Sequence, residues 1–344
     1  VERARTVVED WRSEEVYPYP AAPADEAERA EQALFNFVAV TASTAVNRID
    51  DKQAKALSLQ TMKQVVSQDP GSLEIIFREV LALPEDKLAE LHSLLERTPL
   101  TSLVGAMKRI TGRIEFIAGL EMMLFDAQIA PEVLERAHLQ EIIGAEPWLF
   151  GEEYALHVSD KGLTALLQAH LGLLGRAESG LEAVRDGAGR VRRVDFLFGR
   201  SLEFNRDRRE HLVVEIKRPT VTLARAELAQ IEDYALAVAA DSRFDKESTE
   251  WDFVVVSTEM DDYVSDRSSQ PNKRAGLAFE SPDGRIRVWA QCWSTIIGDA
   301  RHRLKFVRDQ LEYDPGADEA VSYLVENYPE FVPAPIAHHL SNSE

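Results

Sequence analysis

The chain has 344 residues, and 39 Lys and Arg stand against 59 Asp and Glu, a formal charge of −20. At 45% hydrophobic and 28% charged residues the composition is that of a folding chain, which excludes a disordered tail. No run approaches the roughly 18–20 apolar residues of a membrane-spanning helix. Global acidity also excludes a protein that coats nucleic acid through bulk charge, although a local basic cleft remains compatible with it.

The length predicts about two or three domains. Cys292 is the single cysteine, so neither an internal disulfide nor a cysteine-based zinc site can form. No basic start followed by an apolar stretch marks a signal peptide, so the expected compartment is the reducing cytoplasm, with no membrane partner. The chain opens on Val1 rather than Met, and further residues are expected upstream.

In chain order, Val16-Tyr17-Pro18-Tyr19-Pro20-Ala21-Ala22-Pro23 cannot be helical throughout, and residues 1–26 read as a connector. Residues 27–130 read as an all-α region for assembly or regulation. Its first helix, 27–47, carries Leu34, Phe35, Phe37, Val38 and Val40. Asp69-Pro70-Gly71-Ser72 is a turn, with Ser72 an N-cap for a helix holding Ile75, Ile76, Val80 and Leu81. Pro84 opens the next helix, where Leu88, Leu91 and Leu95 recur at helical spacing. A longer helix spans about 100–125, and Pro131 to Gly144 forms another. The apolar helices predict a homo-oligomer formed through this region.

Beyond residue 150 the texture changes. Val191–Phe198, Leu212–Ile216, Phe253–Ser257 and Ile286–Gln291 read as strands, separated by helices at 223–240 and 293–312. This alternation predicts an α/β domain, a mixed sheet flanked by helices. Residues 259–285 read as one long polar loop, and 316–344 as a C-terminal tail.

Side chains alternate along a strand. In Val194-Asp195-Phe196-Leu197-Phe198, Asp195 and Leu197 therefore oppose Phe196 and Phe198. In Leu212-Val213-Val214-Glu215-Ile216-Lys217-Arg218-Pro219, Glu215 and Lys217 share a face. Residues 199–210 are polar enough for a hairpin turn, which would bring Asp195, Glu215 and Lys217 together at one edge or end of a sheet. Buried charges cost several kcal/mol each unless they are paired or bind metal. Two close carboxylates suit a hard cation such as Mg²⁺. The lysine would orient or deprotonate a water, or stabilise a phosphoryl oxygen. Gln230 and Tyr234 are four residues apart and share a helical face, where they would grip a phosphate or position Lys217.

The order Asp195, Glu215-Ile216-Lys217, then Gln230-Ile231-Glu232-Asp233-Tyr234 resembles the PD-(D/E)xK nuclease superfamily. With Glu146-Pro147-Trp148-Leu149-Phe150-Gly151-Glu152-Glu153-Tyr154 ahead of it, residues 131–315 resemble the Shedu-type nuclease domain of bacterial anti-phage defence. The resemblance implies a restriction-endonuclease-like α/β core preceded by the all-α region. It further implies hydrolysis of DNA phosphodiester bonds with Mg²⁺ or Mn²⁺. By the same resemblance Asp195 and Glu215 are metal ligands, Lys217 is the catalytic lysine, and Gln230 and Tyr234 are the accessory pair. Such folds often add a glutamate from the first core helix, and Glu152 and Glu153 are the two candidates. Val194 departs from the proline that the superfamily often carries there. Separately, Val8-Glu9-Asp10-Trp11 through Val16-Tyr17-Pro18-Tyr19 resembles the stretch that follows the ATPase portion of GHKL-type ATPases. That resemblance implies an ATPase–nuclease fusion with its ATP site upstream of Val1.

From Arg185 to Arg218 ten basic residues face six acidic ones, a local excess of +4. Arg192, Arg193, Arg208, Arg209 and Arg218 are the expected contacts to backbone phosphates, with Lys273 and Arg274 an added clamp. His211 reads as a surface residue at a strand end. Trp148 and Phe150 read as core anchors, and Trp289 and Trp293 as packing at a strand-to-helix junction. Two other readings stay open: a nucleic-acid end or structure sensor that does not cut, and an oligomeric scaffold.

Overall fold

A computed structural model describes the chain apart from residues 1, 20–22, 24–25, 69–74, 77–78, 81, 153, 177–179, 187, 192, 202–208 and 342–344. The turn expected at Asp69–Ser72, together with Glu153, Arg192 and Arg208, lies outside the described residues. The chain forms two compact units, Val1–Leu103 and Val104–Glu344. Among the described residues no helix is long and apolar enough to cross a membrane.

The first unit is helical, with helices Glu2–Ser13, Glu26–Thr41, Ser43–Val46, Lys52–Gln68 and Glu85–Arg97. The stretch expected to be a connector belongs to it. Trp11, Val16 and Tyr19 are buried with Phe35, Ala39 and Leu59. Trp11 donates to Asn47 (2.8 Å), Tyr17 to Asn36 (2.6 Å) and Tyr19 to Glu31 (2.8 Å). Residues 2–13 of this stretch are helical rather than connecting, and Pro18 keeps residues 16–19 out of a helix while the aromatic rings bury enough apolar surface to tie the stretch down.

The second unit is built on a six-stranded mixed sheet. Its strands are β1 (Ala155–Gly162), β2 (Arg193–Ser201), β3 (Arg209–Ile216), β5 (Thr249–Ser257), β7 (Leu277–Glu280) and β8 (Ile286–Cys292). The order is β1-β2-β3-β5-β8-β7. Strands β1, β2 and β3 form an antiparallel meander, β3, β5 and β8 run parallel, and β7 closes the edge antiparallel to β8. Two short strands, β4 (Thr222–Leu223) and β6 (Glu259–Met260), pair separately.

Alternation sends each strand's side chains to two cores. Phe196, Phe198, Val214 and Val254 pack with Ile117, Leu120, Ile297 and Leu324 on one face. Leu197, Val213, Phe253 and Val255 pack with Leu166, Ile231 and Val238 on the other. The helix Arg225–Ala240 bridges β3 to β5, as parallel strands require.

Three expectations change here. The second unit starts near residue 104 rather than 131, because Ile114, Phe116, Leu120 and Met123 of the helix Leu100–Phe125 belong to the sheet's core. Residues 316–341 of the expected tail are no loose tail, since helices Ala317–Asn327 and Ala334–Ser341 bury Ala320, Val321, Leu324 and Ile336. Glycine permits that docking: a Cβ at Gly119 would lie 2.7 Å from the Leu324 side chain, and one at Gly112 2.8 Å from the Tyr323 ring. The stretch 259–285 is not one loop either. It holds β6, a helix Asp262–Ser268 capped by Asp261 accepting from the Val264 amide (2.8 Å), and β7. These elements are too short to print a period on the sequence.

Candidate active site

Strands β2 and β3 pair in the register Phe196 to Val214, and one residue further Asp195 comes opposite Glu215. The Asp195 carboxylate accepts the backbone amide of Ile216 at 2.8 Å, which fixes it against the neighbouring strand. Lys217 follows the end of β3, and its backbone amide donates to the Val256 carbonyl of β5 (2.8 Å). Its ammonium meets Glu215 at 2.7 Å. From the helix Arg225–Ala240, Gln230 donates to Glu215 (2.6 Å) and to the Tyr234 hydroxyl (2.7 Å), and its carbonyl accepts from Lys217 (3.2 Å). The five side chains singled out in the sequence thus meet in one cluster. It lies at the ends of two interior strands rather than at a sheet edge.

The cluster is buried, and burial sets its electrostatics. Asp195 and Glu215 are each 5% exposed. Burial, and then the neighbouring Glu215, pushes the Asp195 carboxyl well above the usual carboxylate range. Burial raises Glu215 as well, against the opposing pull of Lys217. For Lys217 burial disfavours the charge, but the Glu215 carboxylate outweighs it and holds the ammonium above its ordinary value. At neutral pH the lysine is a fixed cation, suited to stabilising negative charge rather than to removing a proton.

One Glu215 oxygen, Oε2, is buried without a hydrogen-bond partner. An orphaned carboxylate oxygen beside a second buried carboxylate is a donor set that fits a hard divalent cation. Among the described residues no group of three or more His, Cys, Asp or Glu side chains is drawn together to hold a metal ion. A cation held by Asp195 and Glu215 would therefore keep several waters, as Mg²⁺ does.

Other site residues fall elsewhere. Glu152 pairs with Arg113 at 2.7 Å, beyond the short turn Pro147–Leu149 that buries Trp148 and Leu149. The further carboxylate that acts on Asp195, Glu215 and Lys217 is Glu135, at the start of the π-helical turn Glu135–Leu139. Sequence reasoning missed it, and its only signal was an acidic residue opening the helical segment ahead of the sheet.

The basic residues divide. Arg193 and Arg218 lie near the cluster, both exposed, with Arg193 3.6 Å from Asp160. Arg209 lies at the far end of β3. Six residues at about 3.4 Å each put it about 20 Å from Glu215 along the strand. Lys273 and Arg274 are exposed, and Arg274 covers the Trp289 ring (4.8 Å) on the opposite face of the sheet. Arg209 and Arg274 therefore do not flank the carboxylates.

His211 is not a surface residue. It is 1% exposed and shares a hydrogen bond with buried His170 (Nδ1 to Nε2, 3.0 Å), while His170 Nε2 accepts the Asp245 amide (2.9 Å). Trp148 is buried as expected of a core anchor, and Trp293 is buried where β8 passes into the helix Trp293–Leu311, as expected of junction packing.

No family model, curated protein or solved structure matches this chain, so its chemistry is argued from Asp195, Glu215, Lys217, Gln230 and Tyr234 themselves.

Proposed function

We propose that the second unit is a metal-dependent nuclease with a restriction-endonuclease-like core that hydrolyses DNA phosphodiester bonds, in the anti-phage role its sequence resemblance implies. The observation that carries this reading is the convergence of Asp195, Glu215, Lys217, Gln230 and Tyr234 into one buried, hydrogen-bonded cluster. When bound, Mg²⁺ or Mn²⁺ would supply positive charge to a phosphoryl oxygen and acidify an attacking water. Asp195 and the free oxygen of Glu215 would hold it. Lys217, kept protonated by Glu215, stabilises the negative charge that builds on the phosphate. Gln230 ties the lysine and the glutamate to one geometry and takes its own orientation from Tyr234. Helix Glu85–Arg97 buries none of its residues and leaves Leu88, Leu94 and Leu95 exposed, which supports self-association through the helical region.

The test is cleavage of plasmid, linear DNA and RNA with Mg²⁺ or Mn²⁺, alongside thermal melting with the metal alone. Lys217→Ala is expected to lower cleavage by about 10²–10³-fold, as loss of a charge-stabilising donor does elsewhere. Gln230→Leu should cost less. Mg²⁺ should raise the melting temperature of the wild type but not of Asp195→Asn. Undiminished cleavage in Lys217→Ala, or a metal shift that survives Asp195→Asn, refutes the assignment.

The lack of a three-carboxylate metal group among the described residues favours one second reading, a nucleic-acid sensor that does not cut. It predicts salt-dependent DNA binding that survives Glu215→Gln, with no metal-dependent product.

A further inference from the structure

On the sheet face opposite the carboxylate cluster lies a separate cavity of about 320 Å³, walled by β3, β5, β8 and the helix Trp293–Leu311. Its volume falls within the range of small-molecule sites. Phe150, Tyr154 and Trp289 give it aromatic walls. The Trp289 ring is fixed, because its indole N–H donates to Asp252 (2.6 Å). Asp252 is itself clamped by Arg287 through two bonds of 2.6 Å. The exposed guanidinium of Arg274 lies over that ring at 4.8 Å and pairs with Glu280 at 3.5 Å.

Several polar groups of the lining are uncommitted. Among the described residues Gln291 and Asp299 make no side-chain hydrogen bond. Arg303 spends one guanidinium nitrogen on the carbonyls of Trp148 and Leu149 (2.9 and 2.8 Å), and among the described residues it makes no ion pair within 4 Å, with Asp299 and Glu152 acting on it only at longer range. The cavity thus offers a rigid aromatic face under a guanidinium, an amide that both donates and accepts, a carboxylate that accepts, and a cation. An aliphatic ligand would waste the ring and the guanidinium. A planar heteroaromatic ring with N–H and C=O groups on its edge, attached to an anion, uses all four.

We propose that this cavity binds a nucleobase, carried either by a free nucleotide or by an unstacked base of a nucleic-acid strand. The ring stacks on the exposed side of the Arg274 guanidinium, which already covers Trp289 at 4.8 Å and extends its plane. Its hydrogen-bonding edge meets Gln291 and Asp299, and its phosphate meets Arg303. The site is independent of the proposed catalytic cluster, and binding here needs neither a metal nor cleavage.

The test is titration of the whole chain, without divalent metal, with each of the four ribonucleoside monophosphates and with a short single-stranded DNA. Binding is read by calorimetry and by quenching of tryptophan fluorescence. At least one probe should bind saturably, and Asp299→Asn and Gln291→Leu should each weaken it by about tenfold or more, the worth of a hydrogen bond involving a charged or buried group. Trp289→Phe should remove the quench, and Glu215→Gln should leave the affinity unchanged. Response to the monophosphates identifies a free nucleotide, and response to the oligonucleotide alone identifies a base in a strand. No binding of any probe at millimolar concentration overturns the proposal. So does binding that Asp299→Asn and Gln291→Leu leave intact, or binding lost in Glu215→Gln.

Discussion

Lowering the pH from 7 to 5 loads protons onto the unfolded chain that His170 and His211 refuse in the folded one. His170 Nε2 accepts the Asp245 amide, so its proton sits on Nδ1 and is donated to His211 Nε2. A second proton on either ring would place an N–H where an acceptor is required. Burial pulls His170 down to about 4 and His211 down to about 3, whereas an unfolded histidine titrates near 6.5. Because the folded values are depressed, the unfolded state binds more protons in this window. The pair's stabilisation is complete above about pH 6.5 and is lost as pH falls towards 4. At about 1.4 kcal/mol per proton and pH unit, two histidines cost about 4 kcal/mol between pH 7 and pH 5. Asp195 and Glu215 act with the opposite sign. Their raised values let the folded state hold protons that the unfolded state has released, so they add stability as pH falls. The histidine part is read by difference. Urea denaturation at pH 7 and pH 5 should show His211→Gln losing about 2 kcal/mol less than the wild type over that interval. Ring signals in a ¹³C-histidine spectrum should show two histidines that do not titrate down to pH 5. Ordinary titration of all histidines near 6.5, or equal pH slopes in the two proteins, would refute the buried neutral pair.

Arg287 holds Asp252 through two bonds and Glu250 at 2.9 Å in a largely buried setting. Arg287→Met takes the guanidinium away from the carboxylates of Asp252 and Glu250 and should cost about 3–5 kcal/mol by urea denaturation, part of it recovered by adding Asp252→Asn; a loss below about 1 kcal/mol would show that water already reaches the pair. Gly199 is buried where a Cβ would stand 2.8 Å from the His157 ring and 3.1 Å from His211 Nδ1. Gly199→Ala should therefore destabilise the chain by about 1–3 kcal/mol, and a neutral result in thermal melting would mean that the His157 ring simply swings aside.

Local patterning made much of the second unit legible. Alternation through Asp195-Phe196-Leu197-Phe198 correctly separated residues of two different cores, because side chains on a strand have a period of two wherever it pairs. The pair Gln230 and Tyr234 was readable for the same reason, since four residues return to one helical face. Strand β1 was missed because it pairs with one neighbour only and runs Leu156-His157-Val158-Ser159-Asp160, in which Val158 alone is buried. Contacts across space left no local mark. Glu135 stands 60 residues before Asp195, and His211 meets a partner 41 residues away. His211 reads as polar and therefore outside until that partner is known.

The −20 charge and its +4 segment show where sequence ends and tertiary structure begins. Sequence by itself determined the residue types, their faces and the order of the elements, because these follow from side-chain chemistry and backbone period. It also determined that positive charge gathers between Arg185 and Arg218. Only the fold decided where that charge stands. Strand β3 runs from Arg209 to Ile216, so Arg209 and the Glu215 cluster occupy opposite ends of one rod about 20 Å long. Arg193 and Arg218 alone of the described arginines singled out as phosphate contacts remain beside the carboxylates. A count along the chain averages over that distance, whereas the register of β2 on β3, set by burying Phe196, Leu197, Val213 and Val214, fixes it.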